Sequence, residues 1–181
     1  MQMPMPKLLF AFAMVLLFST AGMAQQSAEP DWHAWQFLQG KWVGEGSAEV
    51  GHGTGYFTFE PDLQNKAWIR RNHSEYPATK ERPKYVHDDI MIVYFDPATR
   101  QTRAFYYDTE QHVIQYSATF SADNKILTLL SDKQEGAPRF RLTYIRTTKD
   151  QMTLTLEIAQ PAAPNEYRKI VEGRLRKVAD L

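Results

Sequence analysis

Histidines, arginines, aspartates and tyrosines are the residues of this chain whose types and spacing suit binding chemistry. Several of them alternate along segments that read as strands, and alternate side chains of a strand point to one face. Arginine can hold a carboxylate with two hydrogen bonds, and tyrosine or histidine can complete such a site. The sequence therefore predicts a polar pocket for a small hydrophobic or anionic ligand. The candidate ligand-binding residues are Arg70, Asn72, His87, Asp89, His112, Tyr116 and Arg141.

A second interpretation gives general acid–base chemistry to three of these residues. His87 and Asp89, or His112 with a neighbouring carboxylate, would form the pair, provided that they converge in one cavity. The chain has no cysteine, no Gly-x-Ser-x-Gly motif and no phosphate-binding loop. No catalytic residue is therefore assigned, and whether the protein is an enzyme stays open. A third interpretation is a structural or interaction protein of the cell envelope with a filled interior.

Some of the same residues are of types that could also bind a metal ion. His87-Asp88-Asp89 and His112 are of the types that bind zinc and similar ions. On a strand, however, only His87 and Asp89 share a face, and the chain contains no HExxH motif. The sequence predicts no metal site, and the absence of cysteine excludes disulfides and thiolate sites.

Strands must position these side chains, because turn signals divide the chain after Gly40 into short alternating segments. Most links have hairpin length, so sequential strands pair antiparallel. A ten-stranded meander leaves exposed edges unless it closes. The sequence predicts an all-β fold, an antiparallel up-and-down barrel of about ten strands; a two-sheet sandwich is the alternative. The predicted strands are Lys41–Val50, Tyr56–Glu60, Lys66–Tyr76, Val86–Phe95, Gln101–Tyr107, His112–Ser121, Ile126–Asp132, Arg139–Thr147, Met152–Ala159 and Tyr167–Val178.

A short helix precedes the strands, with Asp31 as its cap and Gly40 as its end. The Gly40-Lys41-Trp42 sequence that follows resembles the opening of calycin-type barrels, which include lipocalins, fatty-acid-binding proteins and nitrobindin-like heme barrels. That resemblance implies that the helix plugs one end of the barrel and that Trp42 covers its floor.

The strand pattern narrows the resemblance. Ten strands without a lid or a C-terminal helix are most similar to the nitrobindin-like group and related uncharacterised bacterial domains, and Trp42-Val43-Gly44-Glu45-Gly46 is close to the nitrobindin opening. That group binds heme through a histidine on its last strand. Tyr167–Val178 contains no histidine, so heme is not carried over and no cofactor is predicted.

The first residues have the pattern of a signal peptide. Lys7 precedes the apolar run Leu8–Phe18, and small residues follow at Gly22 and Ala24. The run is shorter than the ~20 residues that cross a bilayer, although an uncleaved anchor is the alternative. The predicted organisation is a signal peptide (1–24), a spacer (25–30) and a barrel domain (31–181).

Export places the mature protein in the periplasm or outside the cell, with no stable membrane insertion after cleavage. Removing residues 1–24 takes away one lysine and no acid, so the net charge changes from 0 to −1. A nucleic-acid partner normally requires a basic surplus. The predicted partner is a small molecule, and the oligomeric state is left open.

Overall fold

The structure is a computed structural model that describes residues 31–45 and 53–179. Within these residues, ten strands form one closed antiparallel barrel in the order β1-β10-β9-β8-β7-β6-β5-β4-β3-β2. The closure confirms the predicted all-β barrel and excludes the sandwich. The strands are β1 Gly40–Glu45, β2 Thr54–Asp62, β3 Ala67–Tyr76, β4 Tyr85–Asp96, β5 Gln101–Asp108, β6 Val113–Phe120, β7 Ile126–Ser131, β8 Arg139–Arg146, β9 Gln151–Ala159 and β10 Arg168–Val178.

Each predicted strand corresponds to one observed strand, with ends that differ by a few residues. The predicted extension of the first strand to Val50 lies outside the described residues, as do the predicted signal peptide and spacer. In the part of the chain that is described, no helix has the length and apolar character needed to cross a membrane.

One end of the barrel is closed by a 3₁₀ helix, Trp32–Leu38. The carboxylate of Asp31 caps it by accepting a hydrogen bond from the His33 N–H at 3.0 Å. The indole of Trp42 is fully buried and donates to the carbonyl of Leu38 at 2.8 Å. The helix and Trp42 therefore lie at the floor, as the resemblance implies.

Aromatic side chains fill the interior above this helix. Trp35 contacts Phe120 edge to face, with ring centroids 5.2 Å apart, and also packs on Phe59. Phe59 in turn packs against Trp68, which is buried and faces inward. Because side chains alternate along β3, the inward direction of Trp68 also sends Arg70, Asn72 and Ser74 into the barrel.

Candidate functional site

Polar side chains of the interior lie at the barrel end opposite the helix, which we call the mouth. The register pairs Asn72 on β3 with Asp89 on β4, and Asp89 with Asp108 on β5. All three therefore point inward along one row of the sheet. Continuing the antiparallel register of β4 and β5 toward the mouth places His87 opposite Glu110 in the following turn. Three neighbouring strands thus deliver polar groups to one place.

Arg70 is at the centre of the deepest part of this network. Its guanidinium forms a buried ion pair with Asp89 and donates to the hydroxyl of Tyr144 on β8 at 2.6 Å. This contact crosses the interior, since β3 and β8 lie on opposite sides of the closed strand order. Arg70 Nε has no hydrogen-bond partner among the described residues. Arg70 therefore connects β3 and β8 across the interior, and its Nε–H is a donor without a partner among the described residues.

His87 connects this buried pair to the rim. Its Nε2 lies 3.3 Å from Asp89 Oδ2 and 3.2 Å from the hydroxyl of Tyr106, whereas its Nδ1 lies 2.8 Å from Glu110 Oε2. Tyr85 donates its hydroxyl proton to Glu110. Both ring nitrogens of His87 therefore contact oxygen atoms, and the ring bridges the buried and exposed carboxylates.

Asp108 shapes the turn between β5 and β6. Its Oδ1 accepts hydrogen bonds from the backbone N–H groups of Glu110 at 3.0 Å and His112 at 2.9 Å. Its Oδ2 accepts from Tyr106 at 3.1 Å and lies 2.9 Å from Nδ1 of His112. The carboxylate is thus a turn residue, as its sequence position suggests, and also a buried member of the network.

The protonation states of these groups follow from their contacts. Burial opposes ionisation of Asp89, yet Arg70 and His87 hold the pKa of the Asp89 carboxyl below its usual range. The hydrogen bond to Asp89 raises the pKa of His87 against the opposing effect of burial, and Glu110 adds to the increase. Burial opposes ionisation of Glu110 as well, but the hydrogen bond from Tyr85 lowers the pKa of that carboxyl.

The tyrosine hydroxyls of the network remain protonated donors. Burial and the nearby carboxylates raise the pKa of Tyr106, and the hydrogen bond to Glu110 raises the pKa of Tyr85 to about 12. Asp108 stays ionised because backbone and side-chain hydrogen bonds from His112 outweigh its burial and lower its pKa. The mouth therefore contains three ionised carboxylates, which contact the guanidinium of Arg70 and the imidazole rings of His87 and His112.

A cavity of about 140 Å³ opens beside this network, under β1, β2, β9 and β10. Gly173 faces it from β10, opposite Leu154, and a Cβ atom built on Gly173 would meet no atom within 4 Å. Asn72 donates to the Ser74 hydroxyl at 3.3 Å and forms the polar edge. The apolar wall consists of Phe57, Leu154, Val171 and Leu175.

A wider groove of about 650 Å³ crosses the outer face of β2 to β5. Its outward side chains include Tyr56, His73 and Tyr107, and His73 Nδ1 lies 2.7 Å from Asp88 Oδ1. The groove is open to solvent, and its lining also includes Asn72, Asp89 and Asp108 of the network. The internal cavity is the better-enclosed space.

The structure brings together most of the residues predicted from the sequence. Arg70, Asn72, His87 and Asp89 face the interior at the mouth. Tyr116 also faces inward, buried at 3 % exposure, and its ring meets Tyr106 edge to face at 6.5 Å.

Two predicted residues lie elsewhere. His112 precedes β6 rather than beginning it, and its largely exposed side chain reaches the network only through Asp108. Arg141 faces outward on β8, where it forms an ion pair with Glu157 and lies over the ring of Tyr167. Arg141 therefore does not contact the other six residues.

Five network members are absent from the predicted set: Tyr85, Tyr106, Asp108, Glu110 and Tyr144. Tyr106 and Asp108 are two residues apart on β5 and therefore share a face. The alternation along this strand could have indicated that Tyr106 faces inward with Asp108. Glu110 lies in a turn, and only the register of β4 and β5 shows that it meets His87. Tyr144 lies on a distant strand, and only closure of the barrel brings its hydroxyl into contact with Arg70.

The heme implied by the nitrobindin resemblance does not fit this barrel. The β10 residues that face the cavity are Val171, Gly173 and Leu175, none of which ligates iron. The cavity of about 140 Å³ is also well below the ~300–1,000 Å³ of ordinary cofactor pockets.

Fold and site define a closed ten-stranded antiparallel barrel with a plugged floor and a polar mouth. No protein-family model matches the chain, and no curated protein matches it. Among solved structures, it is similar to a protein of unknown function of the DUF3598 family from Nostoc punctiforme. That match has 9 % identity and a TM-score of 0.29, and covers 82 % of this chain and 99 % of the other. The barrel assignment rests on the strand pairing of the chain itself.

Proposed function

We propose that this protein is an exported barrel that binds a small, largely apolar molecule in the cavity beside Gly173. The observation that carries the proposal is an inward-facing glycine on a central strand with open space where its side chain would be. Glycine in a strand interior weakens the strand by roughly 0.5–1 kcal/mol relative to alanine. Packing alone therefore does not account for glycine at this position, whereas a ligand cavity does.

Size and charge limit the ligand. A cavity of about 140 Å³ is comparable to the ~150 Å³ apolar cavity that accommodates benzene in an engineered protein. The apolar wall suits a ring or short chain, and Asn72 with Ser74 offers hydrogen bonds to one polar group. A wall of this kind disfavours a charged group, so of the two ligand classes suggested by the sequence the hydrophobic one is supported.

The test uses three probes that share one ring and differ in charge: benzyl alcohol, benzylamine and benzoate. Each is titrated into the purified protein and followed by amide chemical shifts in NMR. We expect benzyl alcohol to shift the amide signals of Phe57, Leu154 and Gly173. Benzoate is expected to bind at least tenfold more weakly, because burying its carboxylate against an apolar wall costs desolvation energy. Absence of binding by all three probes at millimolar concentration contradicts the proposal.

Variants locate the binding. Gly173→Val fills the cavity and is expected to lower the affinity for benzyl alcohol at least tenfold. Arg141→Ala, on the outer face, is the control and is expected to leave the affinity unchanged. Unchanged binding in Gly173→Val would place the ligand somewhere else and remove the proposed site.

Export is the second part of the proposal and rests on the first 24 residues alone. Expression of the full chain in a Gram-negative host, followed by N-terminal sequencing of the periplasmic fraction, is expected to give a mature chain that begins at Gln25. A full-length chain that remains in the membrane fraction would indicate the uncleaved anchor.

The acid–base interpretation receives less support from the geometry. His87 and Asp89 do lie in contact, but each ring nitrogen of His87 already faces oxygen atoms of other side chains. This arrangement favours a binding role over proton transfer to a substrate. The filled-interior interpretation applies only to the lower half of the barrel, since the upper half contains the cavity.

A further inference from the structure

A group of three possible metal ligands lies at the mouth, separate from the cavity. His87, Asp108 and Glu110 each offer one ligand atom, and these atoms lie within 4.8 Å of one another. None of the three lines the cavity. Regular structure holds two of these residues in place. His87 is on β4, and Glu110 is in the turn that the Asp108 carboxylate stabilises.

We infer that His87, Asp108 and Glu110 form a binding site for a divalent transition cation of the zinc class. One imidazole nitrogen and two carboxylate oxygens are ligands that zinc accepts, at about 2.0–2.2 Å. Ligand atoms around a tetrahedral ion then lie about 3.4 Å apart, which follows from those bond lengths. Glu110 is on the exposed rim, where its side chain can rotate toward His87 and Asp108 to approach this spacing.

A second observation is independent of the three-residue geometry. Asp89 and Asp108 are directly opposite on the inner face, and both are buried, at 9 % and 4 % exposure. Like charges directly opposite each other in a sheet are destabilising. Arg70 compensates Asp89, whereas the described partners of Asp108 are the exposed His112, the Tyr106 hydroxyl and backbone N–H groups, with no arginine or lysine among them. A divalent cation at the rim would offset the remaining negative charge.

The outer face contains a similar trio that serves as a comparison. His73 contacts Asp88 through Nδ1 and Glu75 through Nε2, so its two carboxylates lie on opposite edges of the ring. One ion cannot use both carboxylates together with one nitrogen of that ring in the observed arrangement. The His87 trio, by contrast, converges on a shared point. Three protein ligands leave at least one coordination position open, and zinc sites of that kind bind water or a further ligand.

The experiment is isothermal titration of Zn²⁺, and separately of Ca²⁺, into the purified protein after treatment with EDTA. We expect one Zn²⁺ per chain and no Ca²⁺ binding, because calcium prefers all-oxygen sites. Glu110→Gln and His87→Ala are expected to weaken Zn²⁺ binding at least tenfold. Their matched controls on the outer face, Glu75→Gln and His73→Ala, are expected to bind as the unmodified protein does.

Three outcomes would overturn the inference. The first is absence of Zn²⁺ binding at about 100 µM Zn²⁺. The second is binding of Ca²⁺ as tight as that of Zn²⁺. The third is a loss of Zn²⁺ affinity in the outer-face controls equal to the loss in Glu110→Gln and His87→Ala. Circular dichroism of each variant checks that it is folded, and Glu110→Gln, on the exposed rim, keeps the test decisive if His87→Ala unfolds. The benzyl alcohol titration reports on the cavity, so failure of one site leaves the other measurable.

Discussion

Replacement of Arg70 by methionine is expected to destabilise the protein strongly. Methionine has a similar length and packs well, but it leaves the carboxylate of Asp89 buried without its guanidinium partner. It also removes the donor to the Tyr144 hydroxyl. Breaking one side of a buried ion pair typically costs 3–5 kcal/mol. Because a domain of this size loses roughly 2–4 °C of melting temperature per kcal/mol, we expect a decrease of about 6–20 °C.

A double-mutant cycle separates this cause from lost packing. Arg70→Met, Asp89→Leu and the double variant are compared by urea unfolding, and the double variant is expected to be more stable than either single one. His87 then keeps its contact with Glu110. Arg141→Ala serves as the control, because its ion pair with Glu157 is partly exposed and worth at most about 1 kcal/mol. Additive losses in the cycle would refute the idea that the buried charge causes the destabilisation.

The other predictions concern the cavity, the outer face and the floor. Gly173→Val adds about three buried carbon atoms to open space, so thermal unfolding is expected to show a gain of about 2 kcal/mol; a lower melting temperature would contradict the cavity. Hydrogen bonds to Asp88 and Glu75 raise the pKa of His73 above 6.5. The stability that these contacts add is therefore fully present below pH 6.5 and is lost as the pH rises through the pKa of His73 in the folded protein. NMR titration should show a lower pKa of His73 in Asp88→Asn than in the unmodified protein. Trp42→Phe removes the donor to the floor helix and leaves a small void, and urea unfolding should show a loss of about 2–3 kcal/mol.

The sequence predicts the strands well because turn residues and short links are local signals. It does not predict which face of each strand points inward. On β3, Trp68 and Ile69 are both apolar and adjacent, so hydrophobic alternation gives no direction there. The structure resolves the direction, because Trp68 packs against Phe59 at the floor and carries Arg70 inward with it.

Long-range contacts explain the remaining differences in the site. Arg141 and Arg70 are both arginines on strands. The alternation of side chains along β8, however, places Tyr144 on the inner face and Arg141 on the outer face. Glu110 is a turn residue with no strand pattern, and it becomes part of the site only because the register sets it opposite His87. Neither fact can be read from a single segment, since each depends on how two segments pair.

The position of the buried charges argues that the mouth is the functional end of this barrel. Buried ion pairs can often be replaced by well-packed apolar residues without loss of stability. The floor of this barrel uses that solution, with Trp35, Phe59 and Trp68 in contact. The mouth, built on the same strands, instead keeps Arg70 and Asp89 buried and leaves open space beside Gly173. Stability does not require this difference between the two ends, so we infer that the binding of a ligand at the mouth accounts for it.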